Sequence, residues 1–337
     1  MSFFSKSVKV AGALGAYHLA RSLTRLQPRI LMYHRFSESR QPGYVSAETF
    51  RDQLSYIKKF HNPIFLNDLS KSIFHNKIVS PNSIVITVDD GYRDFHDIAF
   101  PILRELDVPA TLFATTGFVN GDLWLWPDQV TWLLKHAPQS NELICKLGKF
   151  TISNTDVALN YELTWRALIS YLLSLPDEKK WLSLSTLAES WGLSLPFEAP
   201  REYQACSWSQ LASMETQGVE IGGHTITHPS LGRVSREQAW NEINGCRQML
   251  DEQLGVKLRP FCYPNGEPSD FSPELKSVVQ KSGFSCAVTA FADNVCLRDP
   301  FALRRHSSGE DKFQFMKSVS GIETLGHRVR NTVRVPF

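Results

Sequence analysis

Residues 83–94 read SIVITVDDGYRD, and this stretch decides the fold. Its first six residues form an apolar, β-branched run without the polar alternation of a half-exposed strand, which predicts a strand buried on both faces. Apolar residues then recur at helical spacing from Phe95 to Leu106, and ATLFAT at 110–115 resumes a strand. A strand, a helix and a strand in this order predict a βαβ unit with parallel strands.

The same alternation continues towards the C-terminus. Three serines stand where helices are predicted to begin, and each predicted helix is followed by a short apolar strand. The serines are Ser207, Ser235 and Ser272, and the strands are residues 219–221, 260–263 and 284–289. Residues 30–33 predict a further strand near the N-terminus. We therefore expect an α/β fold in which helices wrap parallel strands, as an open sheet or a barrel.

One stretch, residues 120–205, interrupts this alternation. It contains three helical patterns, at 128–136, 161–175 and 178–191, separated by Pro, Asn and Ser. Apolar residues in these segments recur at the helical period and not at the strand period. We interpret the stretch as a helical insertion in the α/β domain.

Length and charge limit the classes of function. The chain has 337 residues, which suits about two average domains or one large barrel. Its net charge is only +2, so we expect no nucleic-acid partner. Residues 1–37 nevertheless carry six Lys and Arg and no Asp or Glu. We expect a basic helical segment over residues 1–28, which either packs on its own domain or lies on an anionic membrane.

The sequence carries no clear signal for export. The longest N-terminal apolar run, Val10 to Tyr17, is far shorter than the ~18 to 20 residues of a membrane span, and Arg21 and Arg25 follow it in place of a cleavage site. The six cysteines form no CxxC motif, which is typical of reduced thiols. These features predict a cytoplasmic protein, either free or peripheral at the inner face of the membrane.

Polar residues gather where four predicted strands end. They are His34, the pair Asp89 and Asp90, the segment GGHTITH ending at His228, and the turn PNG around Asn265. In parallel α/β folds the carboxyl ends of the strands lie on one rim, where catalytic side chains collect. We expect these four strand ends to converge on a single site.

The spacing of two histidines suggests a metal site. His224 and His228 are four residues apart, so both imidazoles can reach one ion from a turn or loop, and a carboxylate would complete a three-ligand site. Asp89 and Asp90 would repel each other unless a cation or hydrogen-bond donors separate them. One of the two can therefore bind metal while the other serves as a base. The structural alternatives are a helix-capping aspartate and core histidines.

At these residues the sequence resembles the polysaccharide deacetylases with a NodB homology domain, carbohydrate esterase family 4. Thr87-Val88-Asp89-Asp90-Gly91 is similar to the family's TFDDG motif, and His224 to Pro229 to its H-[ST]-x-x-H-P motif. Phe261 to Gly266 is similar to the motif that carries the oxyanion donor. The resemblance implies a distorted (β/α) barrel over residues 29–326, including the insertion at about 120–205, and leaves residues 327–337 as a basic tail.

The resemblance also implies a reaction, the metal-dependent hydrolysis of an N-acetylated sugar to acetate and a glucosamine unit. The metal, most often Zn²⁺ with other divalent transition metals as alternatives, would be held by Asp90, His224 and His228. Asp89 would act as the general base, and the backbone N–H of Asn265 would stabilise the oxyanion.

The general acid has two candidates. Many members place the acid histidine near the C-terminus, where this chain has His306, whereas the circularly permuted branch that deacetylates poly-N-acetylglucosamine places it in an N-terminal L-x-Y-H segment. Leu31-Met32-Tyr33-His34 resembles the permuted arrangement, so we favour His34.

Which residue orients the base is open at the sequence level. Many members have an arginine just before the proline of the third motif, but Cys262 lies there in this chain. Arg259 comes three residues earlier and Arg304 follows a different predicted strand. Neither arginine matches the motif.

For substrate contacts we expect Tyr263, Tyr92 and Arg304, with Trp124 and Trp126 as further aromatic candidates or simply core residues. The substrate would be a polysaccharide or a lipid-linked glycan precursor. Two other functions remain open, an inactive carbohydrate-binding barrel and the deacetylation of a small amide that is not a glycan. An aspartyl phosphatase is disfavoured because it needs a D-x-D motif and has no role for the two histidines. The sequence does not indicate the oligomeric state.

Overall fold

The architecture is a parallel sheet curled into a half-barrel and surrounded by helices. It was obtained as a computed structural model that describes residues 15–139, 142–290 and 299–325. Within these residues the sheet contains eight strands in the order β11-β10-β9-β6-β5-β1-β12, with β4 paired to β5. They are β1 (Arg29–Tyr33), β4 (Asn62–Pro63), β5 (Ser83–Val88), β6 (Ala110–Ala114), β9 (Val219–Gly223), β10 (Phe261–Cys262), β11 (Ala287–Val288) and β12 (His306–Ser307). The predicted α/β class and the distorted barrel are confirmed.

The centre of the sheet forms from the most apolar part of the sequence. All six residues of β5 are buried, and β5 pairs in parallel with β1 over five residues, from Arg29 opposite Ile84 to Tyr33 opposite Val88. Strand β6 pairs with β9 from Ala110 to Ala114. Side chains on both faces of these strands are buried, those of one face in the main apolar cluster and those of the other in a second cluster that contains Ile30, Val85 and Phe113.

In the described residues thirteen α-helices pack around the sheet and in the insertion. The first ten in chain order are α1 (Ala16–Leu23), α2 (Ala47–Phe60), α3 (Leu66–Phe74), α4 (Phe100–Glu105), α5 (Thr116–Asn120), α6 (Trp126–Lys135), α7 (Asn154–Leu159), α8 (Tyr161–Leu173), α9 (Asp177–Ser190) and α10 (Trp208–Thr216). Three more follow, α11 (Arg236–Leu254), α12 (Pro273–Lys281) and α13 (Lys312–Ser320). The short strands β2 (Phe36–Ser37) and β3 (Val45–Ser46) pair outside the main sheet.

The predicted helix starts are confirmed at all three serines. Ser207 accepts a hydrogen bond from the Gln210 N–H, and the Gln210 side chain accepts one from the Ser207 N–H. Ser235 and Ser272 each accept a hydrogen bond from the residue three positions later. Such caps satisfy backbone donors that the first helical turn leaves free.

The helix predicted after β5 differs in its first turn. Residues Phe95–Ala99 form a π-helical turn, and a regular α-helix begins only at Phe100. Pro101 has no backbone N–H and cannot make the α-helical bond to residue 97, so the chain widens locally.

The insertion contains its own cluster of apolar residues, drawn from positions 126 to 191. Its helices α6, α8 and α9 lie close to the three predicted helical patterns. Between α6 and α8 the structure also has an antiparallel hairpin, β7 (Ile144–Leu147) with β8 (Phe150–Ser153), which the sequence analysis missed. Gly148 turns this hairpin at φ 62°, and the alternating burial of β7 is the pattern that predicts such a strand.

Helix α1 belongs to the basic segment predicted over residues 1–28, whose first 14 residues lie outside the described part. The predicted tail at 327–337 also lies outside it. Among the described residues no helix is both long and apolar enough to cross a bilayer. Five of the six cysteines are described, and all five are buried and free.

Candidate active site

Hydrogen bonds tie the ends of β1, β5, β6 and β9 into one rim. The Asp89 N–H donates to the Tyr33 carbonyl, and the Asp90 carbonyl accepts from the Thr115 N–H. The His224 N–H donates to the Ala114 carbonyl. The loops that follow these four strands therefore start from a common, fixed edge, as the sequence analysis expected for β1, β5 and β9.

A strained turn separates the two adjacent carboxylates. The Gly91 N–H donates to the Asp89 carbonyl across 3.0 Å, and Asp90 between them has φ 77°. An i to i+2 hydrogen bond around a residue of positive φ is a γ-turn of the rare, strained type, and such strain is retained mainly where the surroundings enforce it. As a result the carboxylates of Asp89 and Asp90 make different ion pairs, Asp89 with Arg305 and Asp90 with His224 and His228.

Asp90 lies with the two histidines of the HTITH segment. Its Oδ1 is 3.3 Å from His224 Nε2 and 3.4 Å from His228 Nε2. All three side chains are buried. Burial alone would raise the pKa of Asp90, but hydrogen bonds from His224 and His228 hold this pKa well below its ordinary value. The carboxylate is therefore ionised and available as a ligand.

The residues of this cluster fit a tetrahedral metal site. One oxygen and two nitrogens lie within 4.8 Å of one another, which leaves a fourth position open for water or substrate. The His224 Nδ1 lies 2.8 Å from the Cys262 carbonyl, an arrangement that fixes the tautomer and leaves Nε2 free to bind metal. The buried His228 Nδ1 has no protein partner among the described residues.

The loop that carries both histidines is held from two sides. From α11, the Glu242 carboxylate accepts hydrogen bonds from the N–H groups of Ile226 and Thr227 at 2.8 and 2.9 Å, and from the Thr227 hydroxyl at 2.6 Å. From α5, the Thr116 and Gly117 N–H groups donate to carbonyls of the same loop. The sequence analysis did not identify Glu242, because nothing near it in the chain marks its role.

The strain of this loop is concentrated at two positions. Thr225 has φ 66° and His228 has φ 58°, a region that β-branched and bulky side chains adopt rarely. The Thr225 hydroxyl accepts the His228 N–H at 3.0 Å. These contacts keep the imidazoles side by side, with ring centroids 4.8 Å apart.

Asp89 forms a bidentate ion pair with Arg305. The distances are 2.6 Å from Nη1 to Oδ1 and 2.7 Å from Nη2 to Oδ2, and both side chains are buried. Burial would raise the pKa of Asp89, but the Arg305 charge and its hydrogen bonds lower it below the ordinary value. Arg305 is itself fixed by the Thr289 carbonyl at 2.8 Å and the Thr87 hydroxyl at 3.0 Å.

Arg305 thus answers the question that the sequence left open about the base. Arg259 is too distant to take this role, since it pairs with Glu215 at 2.8 Å, and Arg304 lies over the Phe271 ring, 4.5 Å from its centroid. The Arg304-Arg305 pair immediately precedes β12, where successive side chains alternate between the two faces. That alternation is the sequence signal that could have selected Arg305.

Cys262 lies beside this ion pair, with its Sγ 3.1 Å from Arg305 Nη2 and 3.6 Å from Asp89 Oδ2. Asp89, His224 and Cys262 form a second group of potential ligands. A metal ion there would face the Arg305 guanidinium, which already satisfies both carboxylate oxygens. The trio of Asp90, His224 and His228 is therefore the better site for a cation.

The two candidate acids occupy different places. His34 is half-exposed, with its Nε2 3.7 Å from Asp89 Oδ2. His306 lies opposite Leu31 in the sheet, three residues before the end that carries His34, and its Nδ1 lies 2.9 Å from Glu323. Only His34 adjoins the carboxylate cluster, which favours the permuted arrangement.

Asn265 occupies a second γ-turn. The Gly266 N–H donates to the Pro264 carbonyl at 2.6 Å, and Asn265 has φ 59°. Within the described residues, neither its backbone N–H nor its buried Nδ2 has an acceptor. Gly266 is required here, because a Cβ would lie 2.2 Å from the Ala290 nitrogen. A donor without a partner is what an oxyanion site needs.

The predicted substrate contacts at Tyr263 and Tyr92 are corrected by the structure. Tyr263 is fully buried, and its hydroxyl donates to the Phe301 carbonyl at 3.0 Å. Tyr92 donates to Asp128 at 2.6 Å, and the Arg35 guanidinium covers its ring at 3.8 Å from the centroid. Both rings are buried against other protein groups, so neither ring can stack on a sugar.

The remaining predicted contacts are also taken up by the protein. Trp124 stacks on Tyr203 and donates to the Pro196 carbonyl, and Trp126 is buried in the cluster of the insertion. Arg304 packs on Phe271 as described above. Trp124 and Trp126 are thus core residues, which is the alternative that the sequence analysis gave for them.

A buried network fixes the chain next to His34. Arg35 Nε donates to Asp94 at 2.6 Å, and its Nη1 lies 3.5 Å from Asp128. Burial raises the pKa of Asp94 to about 6 and that of Asp128 to about 7, against the opposing effect of Arg35. Because Asp94 also accepts the Phe36 N–H at 3.2 Å, the segment after β1 is tied to the segment after β5.

Comparison with known proteins identifies the family of the chain. The sequence profile of the family described as polysaccharide deacetylase matches residues 76–140 and 155–287. No curated protein is significantly similar to the chain in sequence.

Solved structures share the fold at low sequence identity. The deacetylase PplD of Streptococcus pyogenes, solved in complex with acetate, is 17% identical with a TM-score of 0.56, covering 89% of this chain and 97% of its own. IcaB from Ammonifex degensii is 16% identical with a TM-score of 0.55, over 88% and 97%. A de-N-acetylase from Aggregatibacter actinomycetemcomitans is 14% identical with a TM-score of 0.54, over 87% and 99%.

The metal trio makes a direct prediction. His228→Ala should lose most of the zinc bound by the wild-type protein, because only two protein ligands remain. His306→Ala, which removes a histidine outside the trio, should bind as the wild type does. Zinc content after dialysis and isothermal titration measure both. Wild-type zinc binding by His228→Ala would show that the ligands are wrong.

The two carboxylates should separate by function. Asp89→Asn should keep its metal and lose kcat by about 10²-fold or more, as expected when a general base is removed. Asp90→Asn should lose both metal and activity. Metal content measured beside acetate release tests this, and equal metal loss in the two variants would contradict the division.

The bidentate ion pair between Arg305 and Asp89 makes a third prediction. Arg305→Lys keeps the charge but not the bidentate geometry, so kcat should fall roughly 10- to 100-fold, as for other residues that orient a functional group, with metal content unchanged. Arg259→Lys, an equally buried arginine paired with Glu215, is the matched control and should leave kcat near the wild-type value. Equal losses in both variants would mean that Arg305 only stabilises the fold.

Proposed function

Since the chain belongs to the polysaccharide deacetylase family, we propose that it hydrolyses the N-acetyl groups of sugar units in a glycan, releasing acetate and leaving a free amine. The observation that carries this proposal is the convergence of two separated carboxylate systems on one rim. Asp90 lies with His224 and His228, while Asp89 is paired with Arg305 and adjoins His34.

We propose Zn²⁺ as the resident metal, held by Asp90, His224 and His228, with other divalent transition metals as substitutes. Two imidazoles, one carboxylate and an open position are the donor set that zinc hydrolases use. When bound, such an ion polarises a carbonyl and lowers the pKa of water.

The protein groups supply the proton transfers. Asp89 is ionised and held in one orientation by Arg305, so it can take a proton from the attacking water. The backbone N–H of Asn265 is free to donate to the oxygen that gains charge on the acetamide carbonyl. His34, half-exposed beside Asp89, can then give a proton to the departing nitrogen, which could not leave as an amide anion near neutral pH.

For the substrate we propose a polysaccharide or a lipid-linked glycan precursor containing N-acetylated sugars. The polysaccharide deacetylase profile supports this class, and the fold is shared with PplD and IcaB. We propose a cytoplasmic setting, at the inner face of the membrane for a lipid-linked precursor. The free, buried cysteines support a reducing compartment.

Acetate release tests the proposal. The zinc-loaded protein should release acetate from N-acetylglucosamine oligomers and from lipid-linked N-acetylated sugars, and chelation should abolish the release, with activity restored by added zinc. Asp89→Asn is the inactive control. Binding of the oligomers without any acetate release would support a binding barrel instead, and release only from simple acetamides would exclude a glycan substrate.

The acid has a chemical test of its own. His34→Ala should keep metal and fold yet lose turnover of an ordinary acetamide, whereas His306→Ala should be nearly silent. On an acetamide with a poorly basic leaving amine His34→Ala should recover part of its activity, because less protonation is needed, while Asp89→Asn should not recover. If instead His306→Ala loses turnover of the ordinary acetamide and recovers on the activated one, while His34→Ala stays active, the general acid is His306.

A further inference from the structure

Helix α1 packs on the domain through its small side chains. Ala20 is buried, and so is Thr24 at the C-terminal end of the helix, where its hydroxyl donates to the Ala20 carbonyl at 2.7 Å. The buried Arg29 guanidinium donates to the same hydroxyl. Further along, the His18 ring meets the Phe60 ring edge-on with centroids 5.7 Å apart. The inward face is thus fixed by contacts with the body of the protein.

The outward face of the same segment carries its large apolar residues. Leu19, Leu23 and Leu26 are 57–63% exposed. Leu19 and Leu23 are four residues apart in α1 and so lie on one side of the helix, and Leu26 follows in the turn after it. A surface helix of a soluble domain normally turns its leucines to the core and its polar residues to water. Here the order is reversed, and the described part of the chain leaves the leucine stripe mostly exposed.

Basic side chains lie on the segment that carries the stripe and beside it. Arg21 lies with its guanidinium 4.6 Å from the Phe60 centroid, and Lys59 reaches the same ring at 5.3 Å. Arg25 is exposed, and no acidic residue precedes Glu38 in the sequence. Apolar residues in a basic surround complement an anionic lipid surface, where each nearby basic side chain adds attraction.

The stripe lies at the end of the sheet opposite the active site. Helix α1 leads into the first residue of β1, and the Arg25 carbonyl accepts from the N–H of Asn82, just before β5 begins. The catalytic groups follow the last residues of the same two strands. Exposed Ile78 belongs to the segment that passes Arg25. A surface bound here would leave the catalytic rim open.

We propose that Leu19, Leu23 and Leu26, with the basic side chains around them, form a docking surface for an anionic lipid bilayer. The leucines enter the interface between headgroups and acyl chains, and Arg21, Arg25 and Lys59 contact the lipid phosphates. The active site then faces away from the bilayer, an orientation that suits a polysaccharide and not a sugar still linked to a lipid of the same membrane. This inference does not depend on the deacetylase reaction. The experiment below therefore measures vesicle binding and acetate release separately.

Vesicle co-sedimentation of the full chain tests the proposal. The probes are vesicles of phosphatidylcholine alone and of phosphatidylcholine with phosphatidylglycerol. The wild-type protein should bind the anionic vesicles, less tightly as salt rises, and bind the neutral vesicles at least tenfold more weakly. The triple variant Leu19→Ser, Leu23→Ser, Leu26→Ser should lose at least tenfold in affinity for the anionic vesicles.

The insertion provides a matched control. Leu159, Leu163 and Leu182 are 65–81% exposed on its surface, and changing all three to serine should leave vesicle binding intact. Both triple variants should retain wild-type melting temperature and acetate release from soluble oligomers. The proposal is overturned if the wild type ignores anionic vesicles, if the control variant loses binding equally, or if the first triple variant only converts a dimer into a monomer, which would make a second copy the occupant.

Discussion

The γ-turn at Asp90 is the constraint on which the site depends. Two consecutive aspartates directly after a buried strand would ordinarily compete for the same surroundings and repel each other. The positive φ of Asp90, closed by the hydrogen bond from Gly91 to Asp89, separates their environments instead. One carboxylate pairs with a fixed guanidinium and the other faces two imidazoles, so that one dipeptide can provide both a base and a ligand.

The rest of the rim preserves this separation. Glu242 and the N-terminal turn of α5 hold the histidine loop in a strained conformation, and the Cys262 carbonyl sets the tautomer of His224. Arg305 lies directly before β12, far from β5 in the sequence, and its hydrogen bond to the Thr87 hydroxyl ties it to β5. Most of these contacts are made by buried groups, where hydrogen bonds to ions are strong and the loss of a partner is costly. The positions of the site's side chains are therefore fixed by several structural elements together.

The sequence predicted the features that depend on local patterns and on the positions of strand ends. The buried run at 83–88 and the serine caps indicated the α/β alternation, and the rule that strand ends share a rim placed the Asp89-Asp90 pair near His224 and His228. The choice of Asp90 as ligand and Asp89 as base rested on the family resemblance. What it could not supply depends on contacts between distant segments. Arg305 and Glu242 act on residues 15 or more positions away in the sequence, and no motif marks either one. Tyr263 and Tyr92 were misjudged because proximity in sequence to a motif does not fix which way a ring packs.

X-ray absorption on the zinc-loaded protein tests the central claim most directly, because it distinguishes the two possible ligand groups. Asp90, His224 and His228 give a shell of nitrogen and oxygen alone, at about 2.0–2.2 Å, whereas the group containing Cys262 adds a sulfur at about 2.3 Å. The account predicts two imidazole nitrogens, oxygen donors and no sulfur, with the spectrum unchanged in Asp89→Asn. A sulfur in the shell, or a shell that loses an oxygen in Asp89→Asn, would contradict the assignment of one carboxylate to the metal and the other to the base.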